Sequence, residues 1–150
     1  ENISSYLQRR VSSKVIFKVI PKFGHELAGK INVPLFEWVI ENLCKNAVDA
    51  MNGQGRIEIY LRNTKDDRYV MLDLSDTGKG IPKSKIKTVF QPGYTTKKRG
   101  WGLGLTLVKR IVENYHSGKI FVLKSEPDQG TTFRIMIPKQ MENPAYSKKK

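Results

Sequence analysis

The sequence predicts an α+β domain, with about five strands in a mixed sheet and three or four helices packed on one face. Three observations carry that reading. Strand-like and helix-like stretches come in blocks rather than in strict alternation, which argues against a doubly wound parallel sheet. One long amphipathic helix pattern, residues 32 to 51, is followed by two β-patterned runs joined by a polar turn. A second helix pattern is likewise followed by a pair of strand-like runs that closes the chain.

Taken in order, "ISSYLQRRVS" has a short helical look, and "KVIFKVI" reads as a strand closed by Pro21. Residues 21 to 31 read as loop. Asn32 is a plausible N-cap with Pro34 early in the first turn, and "NGQG" at 52 to 55 stops the long helix. Strands are expected near 56–63 and 69–75, around the turn "TKDD". A short helix is expected near 83–89, then an irregular glycine-containing stretch from 91 to 104. A second long helix covers about 104–116, and strands near 119–125 and 131–137 flank "EPDQG". There are no internal repeats and no linker.

Composition narrows the function classes. At 150 residues, 39% hydrophobic and 27% charged, the chain fits one globular domain with a sizeable core. No apolar run approaches the ~20 residues of a membrane helix, so no membrane contact is expected. The single cysteine, Cys44, excludes internal disulfides and suits a reducing, cytoplasmic compartment. Without an initial Met or a signal peptide, the chain reads as an excised fragment. The net charge of +13 invites polyanions, but the cations are scattered rather than gathered into a stripe. A scattered basic surface means solubility and attraction for polyanions, ATP included, more often than a groove reader, and nucleic acid is not expected as a partner.

Four stretches hold candidate chemistry. On the helix wheel at about 100° per residue, Leu35, Phe36, Val39, Ile40, Leu43, Ala47 and Met51 form one apolar arc. Asn46 lies inside it, with Asn42 and Asp49 at its edge. These polar groups either bond to neighbouring backbone or face a hydrated cation or phosphate; an amide oxygen is a suitable hard ligand for Mg²⁺. "SDTGKGI" (75–81) follows a strand directly, and its Asp76 is either part of a tight turn or a carboxylate that accepts from an exocyclic amine. Gly78 and Gly80 behind it permit close approach by a flat ligand. "GWGLGL" (100–105) places Gly100, Gly102 and Gly104 at alternate positions before a helix, next to Lys97, Lys98 and Arg99. It fits neither GxxxxGK[ST] nor GxGxxG. It is either a plain flexible loop or a mobile anion-binding lid. "GTTFRI" (130–135) opens a strand with Thr131 and Thr132, β-formers whose default role is structural.

Together, "ENLCKNAVDAM", "DTGKGI", "VFQPGYTTK" with "GWGLGL", and "GTTF" resemble, in order and spacing, the N, G1, F, G2 and final GT boxes of the ATP-binding catalytic domain of sensor histidine kinases. That domain shares a superfamily with gyrase B, Hsp90 and MutL. The resemblance covers roughly residues 14 to 138. It implies a Bergerat-type α/β sandwich with a flexible ATP lid, ATP and Mg²⁺ as cofactors, and transfer of the γ-phosphoryl to a histidine. By the same resemblance Asn46 is the Mg²⁺ ligand, Asn42 supports phosphates or metal, and Asp49 belongs to the site. Asp76 is the adenine N6 acceptor, with Gly78, Gly80 and Ile81 shaping the pocket and Thr131 holding a bridging water. Phe90 anchors the lid, which includes Thr95, Thr96, Lys97, Lys98 and Arg99. Gly100, Gly102, Leu103, Gly104 and Leu105 form the triphosphate cradle. Asn42, Asn46 and Lys97 are the residues expected to serve the transfer itself.

Residues 1–12 then read as a junction to an upstream dimerisation and phosphoacceptor hairpin, 13–140 as the ATP-binding domain, and 141–150 as a basic tail. The implied partners are that hairpin and, through it, a response regulator. Two features depart from the family pattern. Relatives that hydrolyse ATP keep a Glu where Asn42 stands here, and Glu41 points about 100° round the helix from it. Asp49 stands where many histidine kinases carry a Lys, so Lys97, Lys98 and Arg99 are the candidates for the γ-phosphate contact. "GHEL" at 24–27, with His25, lacks the Arg-Thr-Pro continuation of a phosphoacceptor box and is discounted. His116 reads as a helix C-terminal residue. The competing functions are an ATPase or protein serine kinase of the same superfamily, or a non-catalytic basic module.

Overall fold

A computed structural model describes residues 15–21, 32–92 and 104–139. The opening helix, His25, Thr95, Thr96, Lys97, Lys98, Arg99, Gly100, Gly102, Leu103 and the tail 141–150 lie outside the described residues.

Five strands form one sheet in the order β1-β2-β3-β5-β4. They are β1 (Val15–Pro21), β2 (Gly55–Asn63), β3 (Tyr69–Asp76), β4 (Lys119–Glu126) and β5 (Gly130–Pro138). β1 runs parallel to β2, and every other pair is antiparallel. The mixed sheet follows from the connections. The helix α1 (Val33–Ala50) returns the chain to the same end after β1, whereas short turns reverse it between β2 and β3 and between β4 and β5.

α1 begins where Asn32 Oδ1 accepts from the Leu35 amide at 3.1 Å, with Pro34 in the first turn. It ends at two left-handed residues, Asn52 (φ 55°) and Gly53 (φ 79°), and the Gly53 amide donates back to Val48 O. Val39, Ile40, Leu43, Cys44 and Ala47 are buried. They face the inward stripes of the sheet: Ile57 and Ile59, Leu72 and Leu74, Ile120, and Phe133, Ile135 and Ile137. Each such side chain contributes about 1.5–3 kcal/mol by leaving water. The opposite sheet face is polar. Arg134 donates twice to Asp73, at 2.7 Å each, and Arg56, Glu58 and Tyr60 form a second chain of contacts.

The region expected as a helix near 83–89 is one 3₁₀ turn at Lys83–Lys85 followed by further turns. The expected helix 104–116 divides into α2 (Gly104–Arg110) and a π segment (Ile111–Tyr115). The widened turn is closed by Gly118, whose amide bonds to Val112 O at 2.9 Å. A Cβ on Gly118 would meet Met136 O at 2.3 Å, so the turn sits directly on β5.

Candidate functional site

β3 alternates, and its inward stripe runs Leu72, Leu74, Asp76. The strand therefore carries a carboxylate onto the core face, where it is only 8% exposed. The amides of Gly78 and Thr131 donate to its Oδ1 at 2.9 and 3.3 Å. Burial pushes the Asp76 carboxyl above the usual range, and the two backbone donors partly offset that. Among the described residues both donors use Oδ1, which leaves Oδ2 to an incoming donor.

The glycines predicted behind Asp76 are required by close packing. A Cβ on Gly78 would lie 2.7 Å from Ala50 O, and one on Gly80 (φ 78°) would lie 2.3 Å from Glu126 O. The loop 76–81 is thus wedged between the last turn of α1 and the β4–β5 turn. Lys79 seals it by donating to Ala50 O and accepting from the Asp128 amide.

Thr131 is 5% exposed and lies across from Asp76 on the inward face of β5. Its hydroxyl is 2.8 Å from that of Ser125, which also accepts from the Ile81 amide at 2.7 Å. Ser125 is a site residue that sequence reasoning missed. β4 has a bulge between Val122 and Lys124, so Ser125 turns inward although the stripe Ile120, Val122 would have sent it outward. No local sequence signal marks that bulge.

On α1, Asn42 and Asn46 are half-buried and Asp49 is exposed. The Asn42 amide nitrogen donates to Trp38 O at 2.8 Å within its own helix. Its Oδ1 faces the start of α2, where a Cβ on Gly104 would stand 3.8 Å away. Leu105 and Ile81 pack on the core edge. Phe90 makes an edge contact with Phe133 at 6.0 Å, and Lys109 Nζ lies 5.6 Å over its ring. The Phe90 carbonyl accepts from Thr106 Oγ1 at 2.8 Å. Phe90 and the start of α2 are therefore held together by these contacts.

His116 is more than a helix-end residue. Its Nδ1 meets Ile111 O at 2.9 Å, and its Nε2 meets the Asn32 amide at 3.0 Å. A carbonyl only accepts and an amide only donates, so in this geometry Nδ1 is the donor and Nε2 the acceptor. The ring ties the π segment to the N-cap of α1.

The site thus combines a buried carboxylate backed by close-packed glycines with Asn42 Oδ1 beside the start of α2, within an α+β domain. Residues 32–141 match the family described as histidine kinase-, DNA gyrase B-, and HSP90-like ATPase, and the chain belongs to that family. Sporulation kinase A of Bacillus subtilis is 41% identical over 102 residues, which is 68% of this chain but 16% of that protein. The catalytic domain of histidine kinase ThkA superimposes with a TM-score of 0.75 at 28% identity, covering 91% of this chain and 87% of that one. ThkA in complex with response regulator protein TrrA gives a TM-score of 0.72 at 25% identity, over 92% of this chain and 37% of that one. Within the family, the fold is that of a sensor histidine kinase catalytic domain.

Proposed function

We propose that this domain binds Mg·ATP between α1 and α2 and, in the intact protein, transfers the γ-phosphoryl to a histidine on a separate helical hairpin. The observation that carries the reading is Asp76. It is a buried carboxylate with one oxygen held by two amides and glycines packed behind it, suited to accept the 6-amine of adenine. Guanine would present a carbonyl oxygen to that acceptor. Asn42 Oδ1 faces the start of α2, and Asn46 lies one turn further along, in reach of the same side of the helix. Among the described residues no His, Cys, Asp and Glu cluster could cage a metal. A Mg²⁺ ion here would take the Asn46 amide oxygen together with waters and phosphate oxygens, the usual manner for this ion. When bound, it would neutralise phosphate charge.

In the transfer, an imidazole nitrogen of the acceptor bonds to the γ-phosphorus. The bond to the β–γ bridging oxygen breaks, and ADP leaves with the electron pair. The chain's own contribution is positioning, with Lys97, Lys98 and Arg99 as the proposed cationic contacts. The ATPase alternative is disfavoured by Asn42. An amide already donating to Trp38 O stands where a water-activating carboxylate is needed. The names of the relatives support a response regulator as partner of the whole protein, reached through the hairpin. The chemistry also suits a cytoplasmic location, and among the described residues no helix is long and apolar enough to cross a membrane.

The test uses radiolabelled ATP, with and without the purified hairpin of the parent protein. Acid-labile label on the hairpin is the expected outcome, with little phosphate released by the domain alone. Rapid hydrolysis without the hairpin would establish the ATPase instead.

A further inference from the structure

Between Asp76 and Glu113 the sequence holds nine Lys and Arg residues and no Asp or Glu. No other stretch of the chain is so one-sided, and the structure shows where its described part lies. Lys83, Lys85, Lys87, Lys109 and Arg110 are all exposed. Among the described residues, none of the five lies within ion-pair distance of a carboxylate. Elsewhere several basic groups have such partners: Arg134 bonds Asp73, Arg56 bonds Glu58 and Lys139 bonds Asp67. Here the charge is left for something outside the fold.

Both ends of this basic run touch the site described above. It leaves Ile81, whose amide is fixed to Ser125 Oγ, and reaches Phe90, whose carbonyl is fixed to Thr106 in α2. In between, the Lys85 amide bonds to Pro82 O and the Thr88 amide to Lys85 O, so the chain advances in tight turns. At about 2 Å per residue, no residue of the run lies more than about 10 Å along it from one of those two ends. Lys109 and Arg110 lie within about 9 Å of Gly104 along α2, at about 1.5 Å per residue. The field of an exposed charge reaches about 10 Å at 0.1 M salt and about 30 Å at 0.01 M. Carboxylates gather on the other side. Asp49 is in the last turn of α1, and Glu126 and Asp128 adjoin the loop 76–81. The field therefore runs from negative near Asp76 to positive toward α2.

We propose that Lys83, Lys85 and Lys87, with Lys109 and Arg110, form an electrostatic guide: they draw the triphosphate toward the start of α2 and set the association rate of the nucleotide without binding it themselves. The inference rests on the nucleotide site proposed above and adds to it a device for capture. A polyanion meeting this gradient is turned phosphates-first toward α2, with its base left toward the carboxylate side. Because the guide acts at a distance, it raises the rate of arrival and leaves the rate of departure almost unchanged.

The experiment follows association of magnesium N-methylanthraniloyl-ATP, a ribose-labelled fluorescent nucleotide, by stopped flow between about 0.02 and 0.5 M KCl. Three proteins are compared: wild type, the triple variant Lys83→Gln, Lys85→Gln, Lys87→Gln, and a control triple Lys65→Gln, Arg68→Gln, Lys119→Gln. The control removes the same charge from exposed positions at the other end of the sheet. Those positions stand about 17–23 Å from Asp76 at about 3.3 Å per residue, well beyond the reach of their field at 0.1 M. Association with wild type and control should slow about tenfold across the salt range. With the Lys83, Lys85, Lys87 variant it should start lower and slow about threefold or less, the curves converging at high salt. Dissociation rates should agree within about twofold throughout. Equal association rates and equal salt dependence in the two triple variants overturn the guide and leave the nucleotide site standing. An effect confined to dissociation would make these lysines direct contacts, which also overturns it. Absence of nucleotide binding by the wild type would overturn the site itself and this inference with it.

Discussion

Asp76 shows how a residue can be costly to the fold and necessary to the site. Its folded carboxyl is raised above the ordinary value of 3.8, chiefly by burial. Below pH 3.8 both folded and unfolded chains hold the proton, and no penalty exists. As pH rises past 3.8 the unfolded chain ionises first, so folding loses stability until pH exceeds the raised folded value. Asp76→Asn keeps an oxygen for the Gly78 and Thr131 amides and removes the charge. Urea unfolding should therefore show the variant equal to or more stable than wild type at pH 7, with the gap closing in acid. ATP affinity should fall at least about tenfold, because the new amide would present a donor to the adenine amine. A variant that unfolds easily yet binds ATP normally would contradict both halves of this account. Cys44 offers a second check. Burial, and then the charge of Glu41, push its thiol up to about 12, so it should resist thiol reagents in the folded domain and react at once in denaturant, followed by absorbance.

At the scale of elements, the site is built from ends: the end of β3, the last turn of α1, the β4–β5 turn and the start of α2. Glycines allow those ends to meet, but not all for the same reason. At Gly130 the backbone has φ 105°, and a Cβ would lie 1.9 Å from the Asp76 carbonyl oxygen. Gly130→Ala should cost about 1–3 kcal/mol or more. At Gly104 a Cβ has ordinary contact only, 3.8 Å from Asn42 Oδ1. Gly104→Ala should leave stability unchanged or raise it by about 0.5–1 kcal/mol, yet weaken ATP binding, because the methyl fills the gap between α1 and α2. Denaturant midpoints and ATP titrations on both variants separate a packing glycine from a ligand-facing one. Equal losses of stability would remove that distinction.

For the whole molecule, the described helices lie against one face of the sheet, and the proposed ligand site touches both layers. β3, β5 and α1 all belong to the buried core, so a ligand bridging them should stabilise the domain as a unit. At about 100 times its dissociation constant, Mg·ATP should add about 2.7 kcal/mol. For a chain of this size that corresponds to a rise of about 5–10 °C in the melting temperature. GTP at the same concentration should give a much smaller rise, read by scanning calorimetry. Identical shifts with both nucleotides would mean that the base is not being read.

The sequence by itself determined the five strands and most of the residues of α1 that pack inward, although Cys44, buried in the core, lies outside the predicted arc and Leu35, inside it, is not part of the core. Those features follow from local periodicity, caps and turn residues, which short stretches of chain express alone. It also determined Asp76, Gly78, Gly80, Asn42 and Asn46 as candidates, because their boxes are contiguous. Tertiary structure alone decided three things. It made the 83–89 region turns rather than a helix, and it widened the end of the second helix into a π segment where Gly118 meets β5. It also brought Ser125 beside Thr131, through a bulge that reverses which face of β4 a residue occupies. Facing depends on register with a neighbouring strand, a property of strands brought together, which no single stretch of sequence contains.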